Sequence, residues 1–160
     1  KALLGIFALF YFANFFYYID AYYIHMSVHD AKFWFYGYRE AVEELQPYRN
    51  DNTKIVFQQS FSQPYIYFLF YERHNPTNYH KIANLDPIGN DVGLVESLGN
   101  IEFMDFSWPF PNMPKGTIVV ADNIAAPENL IGNDYLILKD IKYPDGVTTA
   151  FRIMEVVDEK

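Results

Sequence analysis

Four polar side chains, Gln58, Gln59, Ser60 and Ser62, lie close together where a predicted strand ends and a predicted helix begins. In a strand–turn–helix unit, the free N–H groups of the first helical turn and the polar side chains of the turn converge on one point, which suits an anion or a sugar. This turn lacks the glycines that let a backbone approach a phosphate closely. A purely structural turn is therefore the favoured interpretation, and the four side chains are the candidate ligand contacts of the chain.

Two histidines, His25 and His29, form the weak candidate for a metal site. They lie four residues apart, next to Asp30, so on a helix both imidazoles would share one face as a metal-binding pair does. The glutamate and the third ligand of a zinc-protease motif are missing, and the favoured interpretation is a polar connector without metal. His74 and His80 have no carboxylate at a defined spacing, and we expect them on the surface.

Four carboxylates follow or precede predicted strands, and paired carboxylates can carry out general acid–base chemistry. They are Asp122, Glu128, Asp134 and Asp140. The chain has 20 acidic residues, which makes such placements frequent by chance. Because GxSxG, P-loop, GxGxxG and complete metal motifs are also absent from the sequence, no catalytic residue is predicted.

Composition excludes several classes of function. The net charge is −8 and basic residues do not form a run, so the sequence has no electrostatic footprint for nucleic acid. The absence of cysteine rules out disulfides, thiol catalysis and thiolate metal sites. With 51% apolar residues, the chain has enough apolar surface to fold.

Residues 2–19 form an apolar stretch without a charged side chain, close to the roughly 20 residues that cross a bilayer. Tyrosines accumulate toward its end, where amphipathic rings favour a membrane interface. Lys1 precedes the stretch and Asp20 follows it, which favours a cytoplasmic N-terminus and an external C-terminus. A buried aromatic helix of a soluble protein is the alternative. Since the chain enters this stretch directly from Lys1, without an initiator methionine, we expect it to be part of a longer protein.

A second, amphipathic helix is predicted over Ser27–Tyr48, capped by Asp30 and stopped by Pro47. Its apolar stripe is Trp34, Tyr38, Ala41 and Leu45, and its opposite side carries Arg39, Glu40, Glu43 and Glu44. The resulting division of the chain is a hydrophobic helix and exit over 1–24, a juxtamembrane helix and connector over 25–53, and an α/β domain over 54–160. Phe33 and Trp34 would contact either lipid headgroups or the sheet.

The fold class predicted for the last region is α/β, with two or three layers and a mixed sheet that ends in an antiparallel hairpin. The domain is predicted to begin with a strand over 54–59 and a helix over 65–71. A further turn or two of helix is expected over 77–83. Residues 84–100 are expected to be irregular, with one short helix near 92–98, and Ala126–Leu130 to form a helical turn. The remaining strands are predicted at 101–106, 117–121, 135–143 and 147–157, the last two joined by Pro144-Asp145-Gly146.

Two phrases carry a resemblance to a known family: WFYGYREA over 34–41 and QPYIYFLFY over 63–71. With the aromatic helix before them and the strand between them, they resemble the C-terminal portion of bacterial membrane glycosyltransferases of the protein O-mannosyltransferase and aminoarabinose-transferase superfamily. The resemblance is strongest over residues 17–79.

The resemblance implies a multi-pass enzyme of the bacterial cell membrane that transfers a sugar from a polyprenyl phosphate on the extracytoplasmic side. The catalytic acid of that family belongs to an early external loop outside this chain, so no catalytic residue is carried over. The present region would be an accessory domain, extracytoplasmic after about residue 20, which covers the active site or contacts the acceptor and is inactive alone. Its partners would be membrane lipid, the upstream transmembrane helices, and a lipid-linked sugar or acceptor; no cofactor is expected here, and a divalent metal in the parent enzyme stays an alternative.

Two other functions remain open. One is a membrane-tethered or soluble α/β module that binds a small ligand or a partner without enzymatic activity. The other is a free-standing hydrolase that uses strand-end acids such as Asp122 or Asp134.

Overall fold

The computed structural model describes residues 1–59, 63–85 and 95–158, with 82–85 described by their backbone alone. An N-terminal helix leads into a domain built on one mixed sheet of seven strands. The predicted α/β class is therefore confirmed.

The N-terminal helix, α1, runs without interruption from Ala2 to His29. It is α-helical over Ala2–Asp20, π-helical over Ala21–Met26 and α-helical again over Ser27–His29. None of the residues Ala2–Asp20 is buried, so α1 is not the core helix of this domain. It is longer than the predicted apolar stretch because residues 21–29 continue the helix, with neither glycine nor proline to stop it.

The prediction of a single helix over Ser27–Tyr48 is wrong. After α1 comes a 3-10 turn, Ala31–Trp34, then helix α2, Tyr38–Leu45, and a second 3-10 turn, Gln46–Tyr48. Phe35 and Gly37 between them have φ of 55° and 95°, in the left-handed region that ends a right-handed helix. Asp30 makes no side-chain capping bond, contrary to the prediction.

The apolar stripe of the predicted helix is only partly correct. Tyr38, Ala41 and Leu45 are buried, as expected, whereas Trp34 is largely exposed. The break before α2 explains the difference, because Trp34 no longer shares a helical face with the other three. Glu43 and Glu44 point to solvent, as the pattern predicts.

The sheet has the order β2-β3-β4-β1-β5-β7-β6. Strand β1 is parallel to β4 and to β5, and every other pairing is antiparallel. The strands are β1 Ile55–Gln58, β2 Ala83–Leu85, β3 Val95–Leu98, β4 Ile101–Met104, β5 Ile118–Ala121, β6 Tyr135–Lys142 and β7 Thr149–Val156. The predicted terminal hairpin is β6–β7, and the predicted central strand is β5. Two helices follow β1: α3, Pro64–Tyr71, as predicted, and α4, Pro76–Ile82.

Three local predictions fail. Residues 84 and 85, expected to be irregular, belong to strand β2. Strand β3 occupies Val95–Leu98, where a short helix was expected; the part of that prediction over 92–94 lies outside the described residues. Ala126–Leu130 forms a turn closed by a bond from Leu130 N to Pro127 O of 3.0 Å rather than a helical turn.

Alternation along the strands divides the core into two layers. On the helix side, Phe57 lies at the centre, with ring centroids 5.5 Å from both Phe68 and Phe151. On the other side, Val56 and Val119 pack with residues of the irregular segments after β4 and β5, such as Phe106. The sheet is thus covered by helices on one face and by loops on the other. Each buried ring contributes about 1.5–3 kcal/mol through the water it excludes.

The carboxyl ends of the three parallel strands β1, β4 and β5 lie on one side of the sheet. We call this side, formed by Gln58, Met104 and Ala121, the carboxyl edge. Helices α2 and α3 start there and run in the same direction: the Tyr38 and Tyr67 rings stack at 4.1 Å, and farther along Gln46 bonds Glu72 at 3.2 Å.

The β6–β7 turn lies at the same edge, because β7 pairs antiparallel to β5. The Tyr143 ring in this turn lies 6.2 Å from that of Tyr36, just after α1. A small cavity between the two segments is lined by His29 of α1 and by Asp145 and Thr148 of the turn. The carboxyl edge therefore faces the side from which α1 enters the domain.

Candidate functional site at the carboxyl edge

Gln58, the first candidate ligand contact, is buried and joins two loops. Its Nε2 donates to Phe106 O at 3.0 Å, and its Oε1 accepts from Asp122 N at 3.2 Å. Both ends of the amide thus have a backbone partner, one from the loop after β4 and one from the loop after β5. Gln58 is positioned to hold these loops together, while direct contact with a ligand stays a prediction.

Gln59 continues the same connection toward the other side of the sheet. Its backbone N donates to Met104 O at 3.0 Å, and its Nε2 lies 3.4 Å from Val95 O. The side chain is half-buried. The structure places Gln58 and Gln59 at the carboxyl edge, as predicted, whereas Ser60 and Ser62 lie outside the described residues.

Asp122 follows β5 and is buried beside Gln58. Its Oδ1 accepts from Ile124 N at 2.9 Å and from Ala125 N at 2.7 Å, the pattern by which an aspartate closes a turn on its own backbone. One carboxylate oxygen therefore has a structural role. Of the four strand-end acids, Asp122 is the one that bonds a described candidate contact, through its backbone N to Gln58.

The negative charge of Asp122 contributes to the raised pKa of two tyrosines. Burial, then the neighbouring Tyr67 and then Asp122, raise the pKa of Tyr38. Burial, followed by Asp122, also raises the pKa of Tyr143. The Tyr38 hydroxyl is buried without a hydrogen-bond partner among the described residues. Both phenols are therefore neutral at physiological pH and can act as hydrogen-bond donors, not as bases.

The other strand-end acids have structural partners. Arg152 is buried on the loop face, with Nε 2.7 Å from Asp140 Oδ1 and Nη2 3.1 Å from Glu128 Oε2. Its Nη1 donates to Ala126 O at 2.9 Å. The hydrogen bond to Asp140 is the main reason why the pKa of Arg152 is raised. Asp134 lies at the opposite edge, where its carbonyl accepts from Val157 N at 2.9 Å.

His25 and His29 share one face of α1, as their spacing predicts. Their rings stack with centroids 5.6 Å apart, and His25 Nε2 lies 3.3 Å from Asp20 Oδ2. Within the described part of the chain, no three histidine, aspartate or glutamate side chains converge as a metal site would require. The pair stays a candidate without an identified third ligand.

His74 is not the exposed residue that the sequence predicts. Its Nε2 lies 2.7 Å from Glu72 Oε2 and the side chain is partly buried. Glu72 comes only two residues earlier, across the turn that ends α3, which a search for helical spacing misses. His80 is exposed, as predicted.

The opposite side of the sheet, where β1 and β4 begin at Ile55 and Ile101, is called the amino edge. It contains a polar cluster that the sequence did not predict. Arg49 forms two bonds to Glu72, of 2.7 and 3.0 Å, and its Nη1 donates to Asn100 Oδ1 at 2.6 Å. Beside it lies an open polar cleft of about 530 Å³ whose walls include Asp51 and Lys54, which precede β1, and residues of the β3–β4 hairpin. A lone arginine in a polar loop gives no sequence signal for such a cluster.

An aromatic groove lies at the exit of α1. It has a volume of about 370 Å³ and is lined by Tyr22, Tyr23, Met26, Ser27, Ala31, Trp34 and Tyr36. Its walls are mainly apolar, which sets it apart from the polar cleft at the amino edge. The Trp34 prediction left open whether this ring meets lipid or the sheet; in the structure it lines the groove beside α1.

No protein-family model, curated protein or solved structure matches the chain. The two phrases over 34–41 and 63–71 therefore remain a resemblance.

Proposed function

We propose that this chain is the C-terminal part of a multi-pass membrane glycosyltransferase that uses a polyprenyl-phosphate-linked sugar. In this proposal α1 is the last membrane span. The α/β domain is extracytoplasmic and covers the active site or contacts the acceptor. It is an accessory domain, inactive by itself.

The observation that carries the proposal is the exposed apolar helix α1. Its 28 residues are long and apolar enough to cross a membrane, and the domain buries none of its apolar window. A helix of this length measures about 42 Å, more than the roughly 30 Å of a hydrocarbon core. Its last turns would thus emerge from the bilayer and lead directly into the domain.

The orientation of the sheet supports an accessory role. Ligands of open α/β sheets bind beyond the carboxyl ends of the parallel strands, and here that edge lies next to the end of α1. If α1 crosses the bilayer, the carboxyl edge faces the membrane surface, where a lipid-linked sugar presents its head group. Gln58 and Asp122 at this edge are engaged in holding loops, which suits a cover or a contact surface better than a catalytic centre.

The first test needs the full-length protein of the reading frame to which this chain belongs. We expect that frame to encode further apolar spans and its product to transfer sugar from a polyprenyl phosphate. Gln58→Ala should lower transfer while the protein still inserts into membranes, because the carboxyl edge loosens. The matched control is Asn52→Ala, at the exposed amino edge. A reading frame in which α1 is the sole span would overturn the proposal.

Topology can be tested on the chain directly because it contains no cysteine. Single cysteines at Asn52 and Val147, both exposed, lie at opposite edges of the domain. We expect a membrane-impermeant maleimide to label both from outside intact spheroplasts. Labelling that appears only after permeabilisation would place the domain in the cytoplasm and contradict the extracytoplasmic assignment.

A non-enzymatic binding module is the second candidate. The polar cleft at the amino edge, with Lys54 and Glu102 on its walls, favours it because this cleft faces away from α1 and is open to solvent. Saturable sugar or peptide binding by the full chain in detergent, lost on Lys54→Ala and kept on Gln58→Ala, would support this function over the first.

A further inference from the structure

The segment after α1 extends a groove that starts on the helix. Trp34 and Tyr36 line the same groove as Tyr22 and Tyr23, although Trp34 follows Tyr23 by 11 residues. The chain turns after Trp34, where Phe35 and Gly37 have positive φ, and so keeps the Trp34 ring on the groove at the end of α1. We call residues 31–37, from the 3-10 turn to Gly37, the aromatic hook.

The hook lies close to the expected membrane boundary. If α1 enters the hydrocarbon core near Ala2, about 20 residues span that core, and Tyr22 and Tyr23 then lie at its outer boundary. Trp34 lines the groove that starts at these two rings, so we expect it on the headgroup side of this boundary. Tryptophan and tyrosine rings concentrate at this boundary, where the ring is apolar and the polar group stays hydrated.

The four aromatic rings of the hook divide between two surroundings. Phe33 and Trp34 are 75% and 65% exposed. Phe35 instead lies 6.0 Å from the Tyr67 ring of α3, and Tyr36 lies 6.2 Å from that of Tyr143. Two rings thus tie the hook to the domain while the two before them project away from it. A membrane contact made by Phe33 and Trp34 would therefore also position the carboxyl edge, to which the hook is attached.

Charge near the hook is mixed. Apart from tyrosines, the titratable and charged groups that line the two cavities next to it are His25, His29, Asp30, Lys32 and Asp145. Acidic and basic groups are interspersed, so no strong attraction to anionic headgroups is expected. Binding by the hook would depend on its apolar rings.

We propose that the aromatic hook inserts Phe33 and Trp34 into the boundary between headgroups and acyl chains of a phospholipid bilayer, with lipid acyl chain filling the groove beside Tyr22 and Tyr23. The hook then fixes the height and tilt of the domain, so that the carboxyl edge is held against the membrane surface. This inference rests on the proposed crossing of the bilayer by α1, with which the groove is continuous.

The two tryptophans of the chain allow a direct test. Trp108→Phe leaves Trp34 as the only tryptophan, and Trp34→Phe leaves Trp108, which packs 5.1 Å from the Phe110 ring on the loop face, as the matched control. Each full-length chain is reconstituted into phosphatidylcholine vesicles whose acyl chains carry bromine either near the carbonyl end or near the methyl end. Flotation of the vesicles reports independently whether α1 has inserted.

We expect both chains to float with the vesicles. Trp34 emission should be quenched by bromine near the carbonyl end, more than by bromine near the methyl end, and little by aqueous acrylamide. Trp108 emission should not respond to brominated lipid. A phosphatidylcholine bilayer should suffice, without added anionic lipid.

Other outcomes separate the two proposals. Flotation with Trp34 quenched by acrylamide and not by lipid would overturn the hook and leave the membrane crossing in place. Trp34 shielded from both quenchers would show that a second copy or another protein covers it, which also overturns lipid contact. Failure to float would overturn the membrane crossing and the hook together.

A probe at Phe33 provides the second variant, in case Trp108→Phe disturbs the loop face. Phe33→Cys introduces the sole cysteine at an exposed position, and an environment-sensitive dye attached there should shift to the blue on reconstitution. The same dye at Asn52, on the amino edge, should not shift. Equal spectra at the two positions would overturn the hook.

Discussion

Arg49 and Glu72 form a bidentate ion pair that joins the connector before β1 to the end of α3. The Nε–Oε1 distance is 2.7 Å and the Nη2–Oε2 distance is 3.0 Å. Both side chains are largely buried, and Arg49 also donates to Leu98 O and Asn100 Oδ1. One guanidinium thus ties a helix, a connector and a β-hairpin together at the amino edge.

Replacement of Arg49 should destabilise the domain strongly. Arg49→Ala leaves the Glu72 carboxylate buried without its main partner, and breaking such a pair costs about 3–5 kcal/mol. Urea unfolding of the full chain in detergent measures the loss. The matched control is Arg39→Ala, which removes the exposed Arg39–Glu43 pair of 2.9 Å on α2 and should have little effect. Equal losses in the two variants would contradict a structural role for the Arg49 cluster.

Glu72 should make stability depend on acid pH. Burial raises its pKa, but bonds from Arg49, His74 and Gln46 outweigh burial, and the net pKa lies below the ordinary value of 4.5. A carboxyl with a depressed folded-state pKa stabilises the fold fully above its unfolded pKa, and the stabilisation is lost as the pH falls through the folded value. We expect the free energy of unfolding to decrease as the pH is lowered beyond about 4.5. This decrease should be less steep in Glu72→Gln.

The matched control for this titration is Glu43→Gln, at an exposed carboxylate on α2. Its unfolding curve should keep the acid dependence of the unmodified chain. If Glu72→Gln and the unmodified chain lose stability with the same slope, Glu72 does not carry the acid transition.

Gln58 should matter for the two loops that it joins. Gln58→Ala leaves Phe106 O and Asp122 N without their partner, and each unsatisfied buried group costs about 1–3 kcal/mol. Hydrogen exchange should therefore accelerate at the amides of Asp122 and Trp108, which belong to these loops, more than in the centre of β1. Gln59→Ala, at a half-buried side chain with a longer bond of 3.4 Å, serves as the control. Unchanged hydrogen exchange in Gln58→Ala would show that the Gln58 side chain does not link the two loops.

Local pattern predicted the centre of the sheet. Ile55 and Phe57 alternate with Val56, and the run Ile118–Ala121 is apolar throughout, so that β1 and β5 were recognisable from side chains alone. The Pro144-Asp145-Gly146 turn specified the β6–β7 hairpin. The conformation of these elements is specified by residues close together in the sequence, which is why local patterns predict them.

Elements that depend on distant residues were not predictable in this way. Strand β3 has Glu96 exposed between apolar ends and is defined by its pairing to β4, as at Ser97 and Glu102. The Arg49 cluster reaches Asn100 across 51 positions. At the candidate site, the position of Gln58 followed from the strand–turn–helix pattern, but its two backbone partners come from loops after β4 and β5 that no local pattern places beside it.

Gly37 is a local indication of the break between the hook and α2. The helical spacing of the residues around it favoured a continuous helix instead. Trp34 and Tyr38 are spaced as on one helix, yet Gly37 adopts φ of 95° and an added Cβ would lie 3.1 Å from Ala150 Cβ and from Phe151. Gly37→Ala should therefore cost both backbone strain, of about 1–2 kcal/mol, and a steric displacement of β7.

Gly146→Ala separates these two contributions. Gly146 has φ of 70° and nothing within 4 Å of an added Cβ, so only the backbone strain applies. We expect Gly37→Ala to be the more destabilising in urea unfolding and, unlike Gly146→Ala, to change the environment of Trp34, because the hook is anchored through Gly37. Equal destabilisation, with Trp34 emission unchanged in both variants, would mean that the close approach of Gly37 to β7 does not position the hook.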